Sequence, residues 1–180
     1  MKLKSLLLGL TFSALLTASS LYAQTSTFTL KEMNTLATIA AIDENEILVS
    51  SVAVNKTSNS GVISFAKMMI TQHSNNLTQI LSMANNPNAL AIALSNGSAN
   101  GLLSQGNEGL TTLGALQGSL FDQAYVNAMV TGHKDALNLI DTKLMKTASS
   151  AEMKQFLTST RAVVVQHLEH AQALQQKIGS

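Results

Sequence analysis

The feature that most constrains this chain is a helix-start signal that occurs three times. Thr29 with Glu32, Ser119 with Asp122 and Ser149 with Glu152 each put a hydroxyl residue three positions before a carboxylate. In such a capping box the two side chains satisfy backbone N–H groups that a helix start leaves orphaned. A fourth start follows Asn59-Ser60-Gly61, and that helix stops at Asn85-Asn86-Pro87, which holds the single proline of 180 residues. Proline cannot continue a helix, and asparagine readily takes the turn before it. The signals predict helices over 30–56, 60–84, 119–146 and 150–177. Aromatic residues are only 4%, too few for the cross-strand pairs that support a β-sandwich. The fold class is all-α.

Between the second and third helices, residues 86–118 carry six of the ten glycines and one charge, Glu108. Glycine costs about 1 kcal/mol per helical position, so the segment reads as loop with a short helix near 108–116. Long loops inside a compact domain usually have a purpose. Helices of about 27 residues are about 40 Å long at 1.5 Å per residue, and a segment of this size can traverse that length. A ferritin-like four-helix bundle needs such a long connection between its two hairpins, whereas an up-down-up-down bundle does not. The prediction is a ferritin-like four-helix bundle with a long connection between helices 2 and 3. The other use for the segment is a surface that meets an envelope protein partner.

The N-terminus gives an address. Lys2 and Lys4 precede an apolar run from Ser5 to Leu16, and Leu21-Tyr22-Ala23 offers a small-residue cleavage site. That is the layout of a secretory signal, and the run is shorter than the roughly 20 residues of a membrane span. Residues 1–23 are therefore expected to be removed, leaving 24–180 as a single exported domain without a transmembrane span, periplasmic and open to association with the outer membrane. Removing two lysines leaves nine basic residues against ten acidic ones. So balanced a charge offers no field for gripping phosphate backbones, which argues against nucleic acid as a partner. Zero Cys excludes disulfides, a thiol nucleophile and thiolate metal sites.

Apolar periodicity locates the chemistry. Helix 2 carries Val62, Ala66, Met69, His73, Leu77 and Ile80 on one stripe, and helix 3 carries Tyr125, Met129, His133, Ala136 and Ile140. Helix 4 adds Met153, Phe156, His167, His170 and Leu174. Spacing by threes and fours marks the buried face of a helix, so all four histidines are expected on or beside buried faces. Helix 1 mixes Leu36 and Ile39 with Asp43 and Glu46 on one face. Counted from the hairpin turns, Glu46 and His73 fall within ~3 Å of one level, and His133 and His167 within ~5 Å. Glu46, His73, His133, His167 and His170 thus form a candidate metal set for a transition ion such as zinc, iron or copper. The competing reading is a buried polar layer whose members satisfy one another and fix register.

Catalytic constellations are missing. A carboxylate-bridged di-iron site needs Glu-x-x-His pairs, but Ile70 stands three before His73 and Val164 three before His167. Met69 and Met129 lie one turn before His73 and His133, a pairing suited to Cu(I), though methionine at core spacing usually packs. Asp122 has sufficient work as a helix cap, and Tyr125 could give its hydroxyl to a buried carboxylate. No catalytic residues are assigned, and binding is favoured over catalysis.

Three blocks carry a resemblance: Phe65-Ala66-x-x-Met69-x-x-x-His73, Phe121-Asp122-x-x-Tyr125-x-x-x-Met129-x-x-x-His133, and His167-x-x-x-Ala171. Together with Glu46 and Ala53, they resemble the bacterial family called domain of unknown function 4142, over about Thr29 to Leu174. The resemblance implies an exported ferritin-like bundle, often described as an outer membrane protein, with no established reaction. The family usually has Asp immediately before the helix-2 histidine, where this chain has Gln72. Two functions follow as expectations. One is a non-catalytic binding module with a metal in its Glu/His layer. The other is an envelope interaction or stress protein whose polar layer is purely structural.

Overall fold

The computed structural model describes residues 28–95 and 97–179. Residues 1–23, read as a secretion signal, lie outside the described residues. Among those described are six helices, α1 (Leu30–Lys56), α2 (Ser60–Ala84), α3 (Pro87–Ser95), α4 (Gly97–Gly114), α5 (Gly118–Thr142) and α6 (Ala151–Ile178), with one 3-10 turn at Leu144–Lys146. None of these helices is long and apolar enough to cross a membrane.

The first capping box forms as the sequence predicts. Thr29 accepts from the Glu32 N–H, and the Glu32 carboxylate accepts from Thr29 N–H. Asn59 caps α2 through the N–H groups of Gly61 and Val62, and Asn85 ends it at φ 47°, in the left-handed region. The other two boxes are corrected. α6 is capped by Ser150, which accepts from Met153 N–H, while Ser149 gives its own N–H to Glu32. α5 starts from Gln117 without a side-chain cap. Gly118, at φ 56°, begins the helix early enough to put Ser119 inside it, and Asp122 Oδ1 is left buried without a partner.

The segment 86–118 also departs from expectation. It folds into α3 and α4, and α4 opens at Gly97, at φ 57°. Leu90, Ala93 and Ala99 are buried in the apolar core that holds Leu36, Ala37 and Ala40 of α1. Packing of that apolar face outweighs the intrinsic cost of glycine, the usual source of helix stability in proteins. α4 runs in the same direction as α1, for Asn45 Nδ2 donates to Leu102 O and Lys56 Nζ to Gly114 O. The connection therefore carries the chain from one end of the helices to the other. The expected traverse is made, by helices rather than by loop.

α1 packs along α2 and α5 along α6. Contacts at the ends fix the arrangement: Ser149 and Ser150 bond Glu32 near the start of α1, and Leu174 lies against Gly61 near the start of α2. The apolar interior is in two parts. One holds Leu36, Ile39, Ile80, Ile140 and Phe156, and the other Ala53, Phe65, Met69, Phe121 and Tyr125. Between them α1, α2, α5 and α6 each carry polar residues: Asp43 and Glu46, His73, His133, and His167.

Candidate metal centre

His73, His133 and His167 meet in this interlayer. Each is at least 95% shielded from solvent, and their rings lie 5.1–6.1 Å apart between centroids. One nitrogen from each lies within 4.8 Å of the others. His170, expected beside the buried face, is exposed and stands outside this group of three. The buried seam of α6 runs through Val164, His167 and Ala171, and His170 stands one residue short of its next position.

The outward hydrogen bonds decide what the imidazoles can do. His73 Nδ1 is 2.7 Å from Asp43 Oδ1, His133 Nδ1 is 2.7 Å from the Met129 carbonyl oxygen, and His167 Nε2 is 2.5 Å from Gln72 Oε1. Each of these partners is an oxygen acceptor, so each imidazole donates its N–H outward. The remaining nitrogens, Nε2 of His73, Nε2 of His133 and Nδ1 of His167, then carry lone pairs. His133 Nε2 and His167 Nδ1 are 3.3 Å apart, and His73 Nε2 is buried without a partner. Fixing one ring nitrogen on a carboxylate or carbonyl is how proteins orient metal-binding histidines. A metal–nitrogen bond of about 2.05 Å gives a tetrahedral N···N edge of about 3.3 Å, which matches the spacing of the closest pair.

Protonation supplies the same direction. Burial holds His167 down to about 3, with the neighbouring imidazoles of His73 and His133 adding to the effect. Burial also lowers His133, against the opposing pull of the Glu46 charge. Metal ligation requires neutral imidazole, and these two are kept neutral. Asp43 is pushed above the usual carboxylate range by burial, opposed by its bonds to His73 and Asn76.

Glu46, placed in the set by its height, borders it. It is half-buried, and its Oε2 is buried without a partner. The carboxylate that bonds His73 is instead Asp43, one turn earlier. Asp43 Oδ2 accepts from Asn76 Nδ2 at 2.8 Å, and Asn76 Oδ1 in turn accepts from Thr160 at 3.3 Å. Sequence reasoning missed Asp43 as the partner, although its signal was present: it lies about fifteen residues before the turn at 57–59, and His73 lies about fifteen after it. Gln72 and Asn76 gave no such signal, since amides at those positions are ordinary surface residues in sequence. Tyr125 gives its hydroxyl to no carboxylate; it pairs with the Ser50 hydroxyl at 2.9 Å.

A helical protein with three buried, inward-facing imidazoles is thus the class that fold and site define. The chain belongs to the family described as domain of unknown function (DUF4142), whose model matches residues 17–174. No curated protein and no solved structure matches the chain.

Proposed function

We propose that this is an exported, periplasmic protein with a ferritin-like arrangement of α1, α2, α5 and α6, which binds a transition-metal ion without catalysing a reaction. His73, His133 and His167 hold the ion, and Glu46 supplies a neighbouring carboxylate; zinc, iron and copper all accept such imidazole donors. The observation that carries the reading is the direction of the hydrogen bonds. The outward nitrogens meet oxygen acceptors, so in the neutral tautomers that donate outward the inward nitrogens of all three rings offer lone pairs to one another, and His73 Nε2 has no partner. Buried polar atoms without partners are uncommon in folded proteins, and a cation among these three would satisfy them together. His170 is exposed and is not part of the proposed set. Export is supported by the basic start, apolar run and small-residue site in residues 1–23.

A second reading is favoured by the composition of residues 86–118, whose single charge is Glu108. On it, α3 and α4 present a neutral surface to an envelope partner and the histidine layer only fixes helix register. Thermal melting of the full chain without a histidine tag separates the two. With zinc, copper or Fe(II) at about 100 times Kd, wild type should gain about 2.7 kcal/mol, roughly 5–10 °C. His133→Ala should gain nothing. A wild-type melting temperature unmoved by all three metals would end the metal reading.

A further inference from the structure

A cavity of about 320 Å³ opens beside the histidines and is walled by residues of α1, α2, α5 and α6. At ~30 Å³ per water that is room for about ten waters, far more than one bridging molecule needs. His73 and His167 line it, while His133 and Glu46 do not. An ion among the three imidazoles would therefore face protein on the His133 side and the cavity on the other.

The wall chemistry restricts what enters. Ile39, Ile140, Val163 and Val164 supply apolar surface, and Gln72, Asn76, Gln79 and Gln166 supply amides. No Lys or Arg lines the cavity, and its one carboxylate, Asp43, has both oxygens engaged by His73 and Asn76. Apolar walls with a few convergent polar groups are the usual build of a small-molecule site. A strongly acidic ligand would find no cationic side chain here, and a cationic one no free carboxylate.

We propose that this cavity delivers a small uncharged molecule, with an apolar body and one nitrogen or oxygen donor, to an open coordination position on the bound metal. The proposal rests on the metal reading above and extends it. Three protein ligands plus one exchangeable position is the pattern of open zinc sites, whereas closed structural sites take four protein ligands.

The test uses Co(II), which reports its ligands through visible absorption, and imidazole as the small donor. The expected result is that imidazole shifts the spectrum of the Co(II)-loaded full chain while cobalt stays with the protein through dialysis. Val163 is 37% exposed on the cavity wall, so Val163→Phe narrows the entrance without filling the core. That variant should bind Co(II) as wild type does and need at least tenfold more imidazole for the same shift. An unmoved spectrum, loss of cobalt to imidazole, or an equal response from Val163→Phe would overturn the channel. Failure to bind Co(II) at all would instead overturn the metal reading beneath it.

Discussion

Two buried polar clusters in this molecule are built in opposite ways. At one end, Glu32 is 1% exposed, and its carboxylate accepts from Thr29 N and Oγ1 and from the N–H groups of Ser149 and Ser150. It closes a capping box on α1 and pins the start of α6 to it. In the middle, the three histidines are also held by hydrogen bonds, but only from outside. The centre keeps His73 Nε2 and Glu46 Oε2 without partners. The closed cluster has every acceptor site aimed at a donor of the fold, so its work is structural. The open one is rigid at its rim and unsatisfied at its centre, the condition in which a ligand has something to bind.

The largest expected effect breaks the closed cluster. Glu32→Ala orphans N–H groups at two helix starts, at roughly 1–3 kcal/mol for a buried donor left unpaired, and should lower the melting temperature by about 5–15 °C. Acid should act on the same residue. Burial opposes its ionisation, but the N–H groups of Ser150 and Thr29 outweigh that and hold it at about 2, against an ordinary 4.5. The folded state then binds fewer protons than the unfolded state, so this contribution is whole above pH 4.5 and is lost as pH falls toward 2. Glu32→Gln should flatten the melting profile across that window.

The histidine layer should respond to acid earlier. His167 stays neutral in the fold down to about 3, against an ordinary 6.5. Below pH 6.5 the unfolded chain takes up a proton that the folded one refuses, so the metal-free protein loses stability as pH drops from 6.5 toward 3. His167→Gln should reduce that slope, measured by chemical unfolding at pH 7 and pH 5. If its slope equals that of wild type, His167 is not the titrating group.

A smaller effect tests whether the rim organises the centre. Asp43→Asn keeps the size of the side chain but weakens its hold on His73 Nδ1. Loss of such an orienting partner typically costs 10–100-fold in metal affinity, which competition with a coloured chelator would measure. Unchanged affinity would mean that Asp43 serves the fold alone.

The smallest contrast lies within α4. A Cβ on Gly101 meets open space, whereas one on Gly106 would fall on the Asn45 side chain, which bonds Leu102 O. Gly101→Ala should therefore stabilise by about 0.5–1 kcal/mol, the usual helix gain over glycine. Gly106→Ala should lose that gain by displacing Asn45. Equal melting shifts for the two would show that α4 does not seat on α1 as described.

Much of the fold was legible because it depends on local signals. The Thr29 box, the restart at Asn59-Ser60-Gly61, the Asn85-Asn86-Pro87 stop and the spaced apolar stripes act within a few residues, and the bounds of α1 and α2 are those the sequence predicts. The same locality placed His73, His133 and His167 on inward seams. It failed where two local choices compete. Ser149 and Ser150 are equally fit to cap α6 by sequence; Ser150 takes the role, and Glu32, from the start of α1, holds the N–H groups of both.

Sequence by itself determined the helical class, the two long hairpins and the presence of a buried histidine layer, since each follows from periodicity and from backbone groups that neighbours must satisfy. Tertiary structure alone decided that residues 87–95 and 97–114 are helical, because only packing on α1 offsets the five glycines of α4. It alone chose Asp43 over Glu46 as the partner of His73 and sent His170 to the surface. Those outcomes depend on rotation and level to within one helical turn. Spacing along a chain fixes which face a residue occupies, but contact across three helices fixes which atom it meets.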